Sequence, residues 1–379
     1  MTPAQPTSSP PPNWVEANHP LGWLINRLLA VEPLRQLLFW QARRLIIRTA
    51  EGRGIAWRQR REILQRAAEP LLAASTNPEV VVPAYYRARF HAYDQGNLCW
   101  AAACEAEQAT DSMALRVWPE EPELAPDRAQ QRLRRAIFSA IEPSISGPVR
   151  RVLDLGCSVG VGTLALREWL LERRELEAQA TPADSLGVFP APQPSDTDMD
   201  TQAAVDGTIT GEIDTQSGAP SPADASSPLL VEGLDLSAEM LAVARVREGE
   251  ARAASGLAAP AITWHHGAAE ATGLPASAYD LITLQFVFHE LPQSASHAVL
   301  AEAARLLRAG GVIALVDQDP DSVVIRRLPA PIATLLKSTE PYLEDYFRLD
   351  LPAALMQAGF HDVRRTAADP RHRVLVATR

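Results

Sequence analysis

VLDLGCSVGVGT, residues 152–163, is an apolar run that breaks into glycines and small residues. Asp154 stands two positions ahead of Gly156, and Ser158 and Gly160 follow at alternate positions. Glycine tolerates left-handed backbone and lets the chain approach a ligand closely. The free amides at the start of a following helix point at the same place. The stretch therefore predicts a strand ending at Asp154, a ligand-binding turn over 156–160, and then a helix.

The same letters hold a rival. Gly160, Gly162 and Ala165 fit the dinucleotide fingerprint G-x-G-x-x-G/A. That pattern wants its first glycine almost directly after the strand. Gly160 comes four residues after Gly156, and the acid at the strand end would have no task. An NAD-linked oxidoreductase is thus the alternative reading. The next apolar run, LLVEGLDLSAEMLAVAR (229–245), ends its strand at Asp235, with Ser237 as the cap of a helix. A carboxylate at a second strand's tip can accept both hydroxyls of a ribose. Asp235 lies 79 positions after Gly156, or 25 once the 54 residues of 175–228 are set aside. The usual interval is about 20.

Those 54 residues are rich in Pro, Ser, Thr, Asp and Ala, with ten acids and no Lys or Arg. Such a segment cannot bury enough apolar surface to offset its ordering entropy, so 175–228 is expected to be a disordered acidic insertion. It accounts for the whole formal charge of −10 and leaves the rest of the chain about neutral. Residues 1–13, Pro/Ser/Thr-rich, are expected to be disordered as well. Residues 14–148 read as helix after helix, interrupted at Pro33, Gly52, Gly54, Pro78, Pro83, Gly96 and Pro119. From 149 to 379, short β-branched runs alternate with amphipathic helices: RRVLDLG, LLVEGLDL, AITWHH, YDLITLQF, VIALVDQ and RVLVATR are the strands. That alternation predicts an α/β fold, a doubly wound, mostly parallel sheet behind an all-helical cap.

At 46% apolar residues, the 379-residue chain can bury a sizeable core. Three cysteines without a CxxC pair argue against a disulfide framework or zinc site and for a reducing compartment. MTPAQPTSSPPPNW has neither the basic nor the apolar region of a secretory signal, so a cytoplasmic location is expected. Between 21 and 66, ten arginines and three acids interleave with Trp23, Leu37, Trp40 and Ile46. A basic amphipathic surface suits peripheral contact with an anionic membrane. Nucleic acid is not expected as a partner, because Lys337 is the only lysine in the chain.

GLDLSAEMLAVAR (233–245), HHGAAEATGLPASAYDLITLQFVFHELP (265–292) and LLRAGGVIALVDQDP (306–320) complete an ordered text. Together with D-x-G-x-S-x-G, it resembles the ubiquinone/menaquinone-biosynthesis-like (methyltransferase type 11) branch of the class I S-adenosylmethionine (SAM) methyltransferases. The likeness covers 149–379 without the insertion, and Ser158 departs from the family's middle glycine. The resemblance implies a Rossmann-like sheet of about seven strands with the last antiparallel, SAM as cofactor, and methyl transfer to a small, aromatic or lipophilic acceptor. A non-catalytic SAM-binding scaffold is the other alternative. The cofactor residues implied are Asp154, Gly156, Cys157, Ser158 and Gly160 around the turn, with Asp235 on the ribose. Leu236 and Met240 would cover the adenine, and Gln285 ends the fourth strand. The acid that the family puts beside the adenine amino group is replaced by Ala268, which leaves Ala269 or Glu270 for that contact.

On the acceptor side, the resemblance places His289 and Glu290 of QFVFHELP near the methyl group. HELPQ is not HExxH, and no metal is expected. The aromatic stretch YYRARFHAYDQGNLCWAAACEAE (85–107) adds His91 and Tyr93, with Asn97 as the expected N-cap of a helix running to Val117. KSTEPYLEDYF (337–347) is the opposite wall. Asp317, Asp319 and Asp321 read as solvated turn acids, and of His265 and His266 one is expected buried and one exposed.

Overall fold

Short runs rich in Val, Ile and Leu, hydrophobic on both faces, belong in a sheet covered on both sides. In the computed structural model they form seven strands: β1 (Arg151–Leu155), β2 (Leu230–Asp235), β3 (Ile262–His266), β4 (Tyr279–Gln285), β5 (Leu307–Gln318), β6 (His361–Ala367) and β7 (His372–Thr378). The structure describes residue 27 and residues 31–91, 93–180, 228–255 and 259–379. The expected disordered segment 1–13, and 181–227 of the expected insertion, lie outside the described residues.

The strand order is β3-β2-β1-β4-β5-β7-β6. β1 to β5 are parallel, and β7 runs antiparallel to both β5 and β6. This is the Rossmann-like doubly wound sheet that the resemblance implies. Chain direction across the sheet reverses between β1 and β4, and such a reversal opens a crevice at the carboxyl ends of the strands. The glycine turn, Asp235 and QFVFHELP all sit at those ends.

Helices flank the sheet: α1 (Glu32–Gly52), α2 (Trp57–Ala68), α3 (Trp100–Val117) and α4 (Pro126–Ile141) precede it. Within it come α5 (Val161–Ala180), α6 (Ala238–Ser255), α7 (Gln293–Leu306), α8 (Ala330–Thr339), α9 (Leu343–Arg348) and α10 (Leu351–Gln357). Pro33 opens α1 instead of interrupting a helix, because a first-turn proline lacks only an amide that would be unbonded anyway. α5 continues through 175–180, past the boundary expected for the insertion. Cys99, not Asn97, is the N-cap of α3, its sulfur accepting from the Ala102 amide. No described helix is long and apolar enough to cross a membrane.

α4 buries Leu133, Ile137, Phe138 and Ile141, a spacing of one helical face. Phe138 stacks on Trp169 of α5 with ring centroids 4.9 Å apart. α2 and α3 dock on α6 through a polar junction. Arg60 holds Glu107 at 2.7 Å and Glu250 at 2.6 Å, while Arg247 holds Glu107 at 2.9 Å. Arg247 also donates to the Val159 carbonyl at 2.8 Å, which ties the glycine turn to the cap.

Candidate active site

The turn after β1 is held in left-handed backbone at three alternate positions. φ is +74° at Gly156, +49° at Ser158 and +74° at Gly160. A Cβ on Gly156 would come within 2.6 Å of Val287, and one on Gly160 within 2.7 Å of Trp264. Ser158 carries a side chain in this region at a cost of about 1–2 kcal/mol. Its amide donates to Asp235 Oδ2 at 2.8 Å and its hydroxyl lies 3.4 Å from Met240 Sδ, contacts that offset the strain. α5 starts at Val161, so Gly160 closes the turn while Gly156 directly follows the strand. The dinucleotide fingerprint starting at Gly160 is therefore out of place.

Asp235, at the tip of β2, is 5% exposed. Its Oδ1 accepts the Ser237 amide at 2.9 Å. Burial pushes its carboxyl up to about 6, against the lowering effect of the Ser237 and Ser158 amides. Among the described residues it has no cationic partner. Ser237 caps α6 as expected, its hydroxyl accepting the Met240 amide at 3.2 Å. Asp154 has a different task. Thr163 donates to it at 2.7 Å, Thr283 at 2.6 Å and Gln285 at 3.3 Å, all through side chains. It braces α5 and β4 against the turn.

A cavity of about 670 Å³ opens over these strand tips, within the size range of small-molecule sites. Asp154, Gly156, Cys157, Ser158, Asp235, Leu236, Met240, Ala269, Glu270 and Gln285 line it, and so do His91, Tyr93, His289 and Glu290. Of the expected site residues only Gly160 does not. Glu270 accepts the Tyr85 hydroxyl at 2.8 Å. Burial, followed by the Asp235 and Asp154 charges, pushes the Cys157 thiol well up, so it stays a neutral packing group.

The opposite wall comes from the segment ahead of α3 and the end of α8. His91 Nε2 lies 2.7 Å from Glu290 Oε1, and His91 Nδ1 2.7 Å from Glu340 Oε1. Asn97, freed from capping, donates to Glu290 Oε2 at 2.8 Å. The second oxygen of Glu340, a residue 7% exposed, is buried without a partner. Ligand atoms of His91, Glu290 and Glu340 lie within 4.8 Å of one another. With each ring nitrogen on a different carboxylate, the arrangement is an imidazolium bridging two acids. Desolvation opposes the charge on His91, whose ring is still 39% exposed, but Glu340 and Glu290 outweigh it and raise its pKa above the usual value. Tyr93 is expected on the acceptor side, but its hydroxyl donates to Glu105 at 2.8 Å. Burial and that carboxylate push its pKa up, so it holds its proton.

His289 is 8% exposed and turns its Nδ1 to Asp317 Oδ1 at 2.9 Å. Burial lowers its pKa, yet Asp317 and the charges of Glu340 and Glu290 win and lift it to about 9. Asp317, 4% exposed, is thus a buried ion-pair partner and not a solvated turn acid. Asp319 and Asp321 pair with Arg365 at 2.5 and 2.6 Å. Neither His265 nor His266 is buried or fully exposed: the first meets Glu232 at 2.6 Å, the second the Leu236 carbonyl at 3.0 Å.

The His289–Asp317 pair sets a pH dependence. A histidine whose folded pKa is raised stabilises fully below its unfolded value, about 6.5, and the gain disappears as pH rises through about 9. Urea midpoints of the wild type and Asp317→Asn should therefore differ most at pH 6.5 and converge by pH 10. A gap that stays constant over that range would contradict the charged pair.

Arg134 lines the cavity and escaped the sequence reading, while Tyr86, Asn97 and Glu340 lie within the acceptor-side stretches it singled out. Each acts from outside the strand-end motifs. Arg134, on α4, is 6% exposed and donates to Gln285.

Residues 216–315 match the family model described as a methyltransferase domain. The match reaches from before β2 into β5 and leaves out the glycine turn. No curated protein matches the chain. Solved structures that resemble it include the S-adenosylmethionine-dependent methyltransferase SibL, at 19% identity over 69% of this chain and 58% of that one, TM-score 0.39. Human N-acetylserotonin methyltransferase in complex with SAM is similar at 13% identity, over 83% of this chain and 66% of that one, TM-score 0.39. A SAM-dependent methyltransferase from Aquifex aeolicus is similar at 16% identity, over 70% and 97%, TM-score 0.39. The chain spans less than two thirds of the length of the first two. The domain match and the seven-stranded fold support a class I SAM-dependent methyltransferase.

Proposed function

We propose that the chain transfers the sulfonium methyl of SAM to a small, ring-bearing acceptor. The observation that carries this reading is the sharing of one cavity by two unlike ends. One end is the buried, uncompensated Asp235 carboxylate beside a nearly side-chain-free turn; the other is the His91–Glu290–Glu340 wall.

The residues fit the cofactor. Both oxygens of Asp235 can accept ribose hydroxyls beyond the two backbone amides they already hold, since each carboxylate oxygen has two lone-pair sites. Leu236 and Met240, 7% and 4% exposed, offer apolar cover for a base. Several carboxylates around the cavity (Asp235, Glu270, Glu290 and Glu340) favour a cationic sulfonium. When bound, SAM supplies an electrophilic methyl group. The chain's task is then to hold the acceptor in line with it and keep water out, which can contribute about 7–11 kcal/mol to barrier lowering.

Tyr85, Tyr86 and Tyr342, with Phe90 behind them, form an edge-to-face and tilted cluster, centroids 6.0–6.3 Å apart. It suits a flat acceptor of the quinol or phenol kind that the quinone-biosynthesis-like resemblance implies. An acceptor O–H or N–H meets the unpartnered oxygen of Glu340 or the Glu290 carboxylate, and its proton passes to that carboxylate as the methyl group bonds. Incubation with methyl-labelled SAM and a panel of quinols, phenols and amines tests the reading. Acceptor-dependent formation of S-adenosylhomocysteine is the expected result; binding of SAM without turnover on any acceptor would favour the scaffold alternative.

A lipophilic acceptor also suits membrane contact through 21–66. Leu34, Leu37, Trp40, Leu45 and Ile46 on α1 are 40–67% exposed. Salt-sensitive sedimentation with anionic liposomes is the expected outcome, and the absence of any binding at low salt would end this part of the proposal.

A further inference from the structure

Away from Asp235 the cavity wall changes sign. Arg116, on α3, and Arg371, in the turn between β6 and β7, both line it. Neither forms an ion pair among the described residues. Arg116 Nε donates to the Ser112 carbonyl of its own helix at 3.2 Å, which leaves the rest of its guanidinium open. Arg116 is exposed and Arg371 half-buried, so both keep surface that a ligand can meet. Desolvation, and after it the like charge of Arg371, pull the Arg116 pKa below its usual value, so the two cations feel each other. Two like charges held together gain when one anion bridges them.

The backbone under Arg371 is fixed. Its amide donates to Asp369 at 2.7 Å, and its carbonyl accepts the Asp319 amide at 2.8 Å. The Pro370 carbonyl takes the Ser322 hydroxyl at 2.5 Å. The acids that these bonds bring close are committed elsewhere. Asp369 also holds the His372 amide and Nδ1, at 3.0 and 2.7 Å. Asp319 and Asp321 pair with Arg365. The turn therefore presents a guanidinium in a set place with no anion of its own.

Phe286 and His372 line the cavity beside it. Phe286 has φ at +62°, a conformation that a bulky side chain adopts under constraint and that gathers at ligand sites. Its amide donates to the Val316 carbonyl at 2.7 Å, and its ring meets His372 edge-on with centroids 5.1 Å apart. β5 and β7 lie beyond β4 on the side away from β2, so this group is remote from Asp235.

We propose that Arg116 and Arg371 hold an acidic group of the methyl acceptor, a carboxylate or a phosphate, while Phe286 and His372 back its ring. The proposal rests on the SAM reading above and narrows it to a flat anionic acceptor, its nucleophile towards Glu290 and Glu340 and its charge towards Arg371. A guanidinium fork matches the oxygens of either acidic group.

Calorimetry on the protein saturated with S-adenosylhomocysteine tests it. The probes are the isomeric hydroxybenzoates and hydroxyphenyl phosphates, each set beside the neutral hydroxybenzamide of the same ring pattern. At least one acid should bind the wild type about tenfold more tightly than its amide, and which acid does so identifies the anion. Arg116→Gln and Arg371→Gln should each remove most of that preference while changing S-adenosylhomocysteine affinity by less than about threefold. Equal affinity of acids and amides for the wild type, or no binding of any acid, would overturn the proposal. So would a preference that survives either substitution, or an equal loss of S-adenosylhomocysteine affinity. A wild type that gives no heat with S-adenosylhomocysteine would instead overturn the SAM reading.

Discussion

Asp235→Ala is expected to lower affinity for S-adenosylhomocysteine about 100-fold while lowering the melting temperature less than Asp154→Ala does, because losing a buried charge partly offsets the two amides left without an acceptor. Two hydrogen bonds to a charged group are worth about 1.5–3 kcal/mol each, less whatever water recovers. The carboxylate meets only backbone amides, and its burial pushes its pKa up to about 6, so in the empty protein its charge is a cost. Removing it sacrifices binding chiefly, with the stability cost of two unbonded amides partly offset by the lost desolvation of the charge. The same shift gives a sign to the pH dependence. Below about 6 the protonated acid loses acceptor capacity, so affinity should rise between pH 5 and 7. That rise should vanish in Asp235→Ala. Affinity within threefold of wild type would remove Asp235 from the cofactor site.

Asp154→Ala should show the opposite pattern. Two threonine hydroxyls and the Gln285 amide would lose their acceptor in a site 2% exposed at Asp154. Buried donors left unsatisfied cost about 1–3 kcal/mol each, partly offset because a buried carboxylate is itself unfavourable. A net loss of about 3 kcal/mol is expected, read as a melting temperature lowered by several degrees. S-adenosylhomocysteine affinity should fall less than in Asp235→Ala, through a loosened turn and a Gln285 no longer anchored. Lost binding at an unchanged melting temperature would mean that Asp154 touches the ligand directly.

Separating the two carboxylates shows what a sequence can and cannot carry. The turn was legible because it is local: strand, acid and alternate small residues lie within nine positions, 152–160. The left-handed φ at Ser158 explains why a glycine pattern applies there, and why a serine bonded to Asp235 can replace it. Asp235 and its cap Ser237 were equally local. That Asp154 braces the turn while Asp235 faces the cavity without a side-chain partner was not legible, since the difference lies in Thr163, Thr283 and Gln285 converging from α5 and β4. Arg134 lies in the helical stretch 14–148 with nothing in its neighbourhood to set it apart, and only the packing of α4 buries it. Glu340 and Asn97 face Glu290 from residues far apart in the chain. Among the strands, β6 went unread. Its residues HDVRRTA lie at the sheet edge, nearly all exposed, and so carry no apolar pattern.

The central claim is that the crevice over β2, β1 and β4 is built for an adenosyl sulfonium nucleoside. Titrating the intact chain by calorimetry with S-adenosylhomocysteine and, separately, with NADH tests it most directly. Saturable heat with the first and none with the second is the predicted result; the reverse would contradict the account.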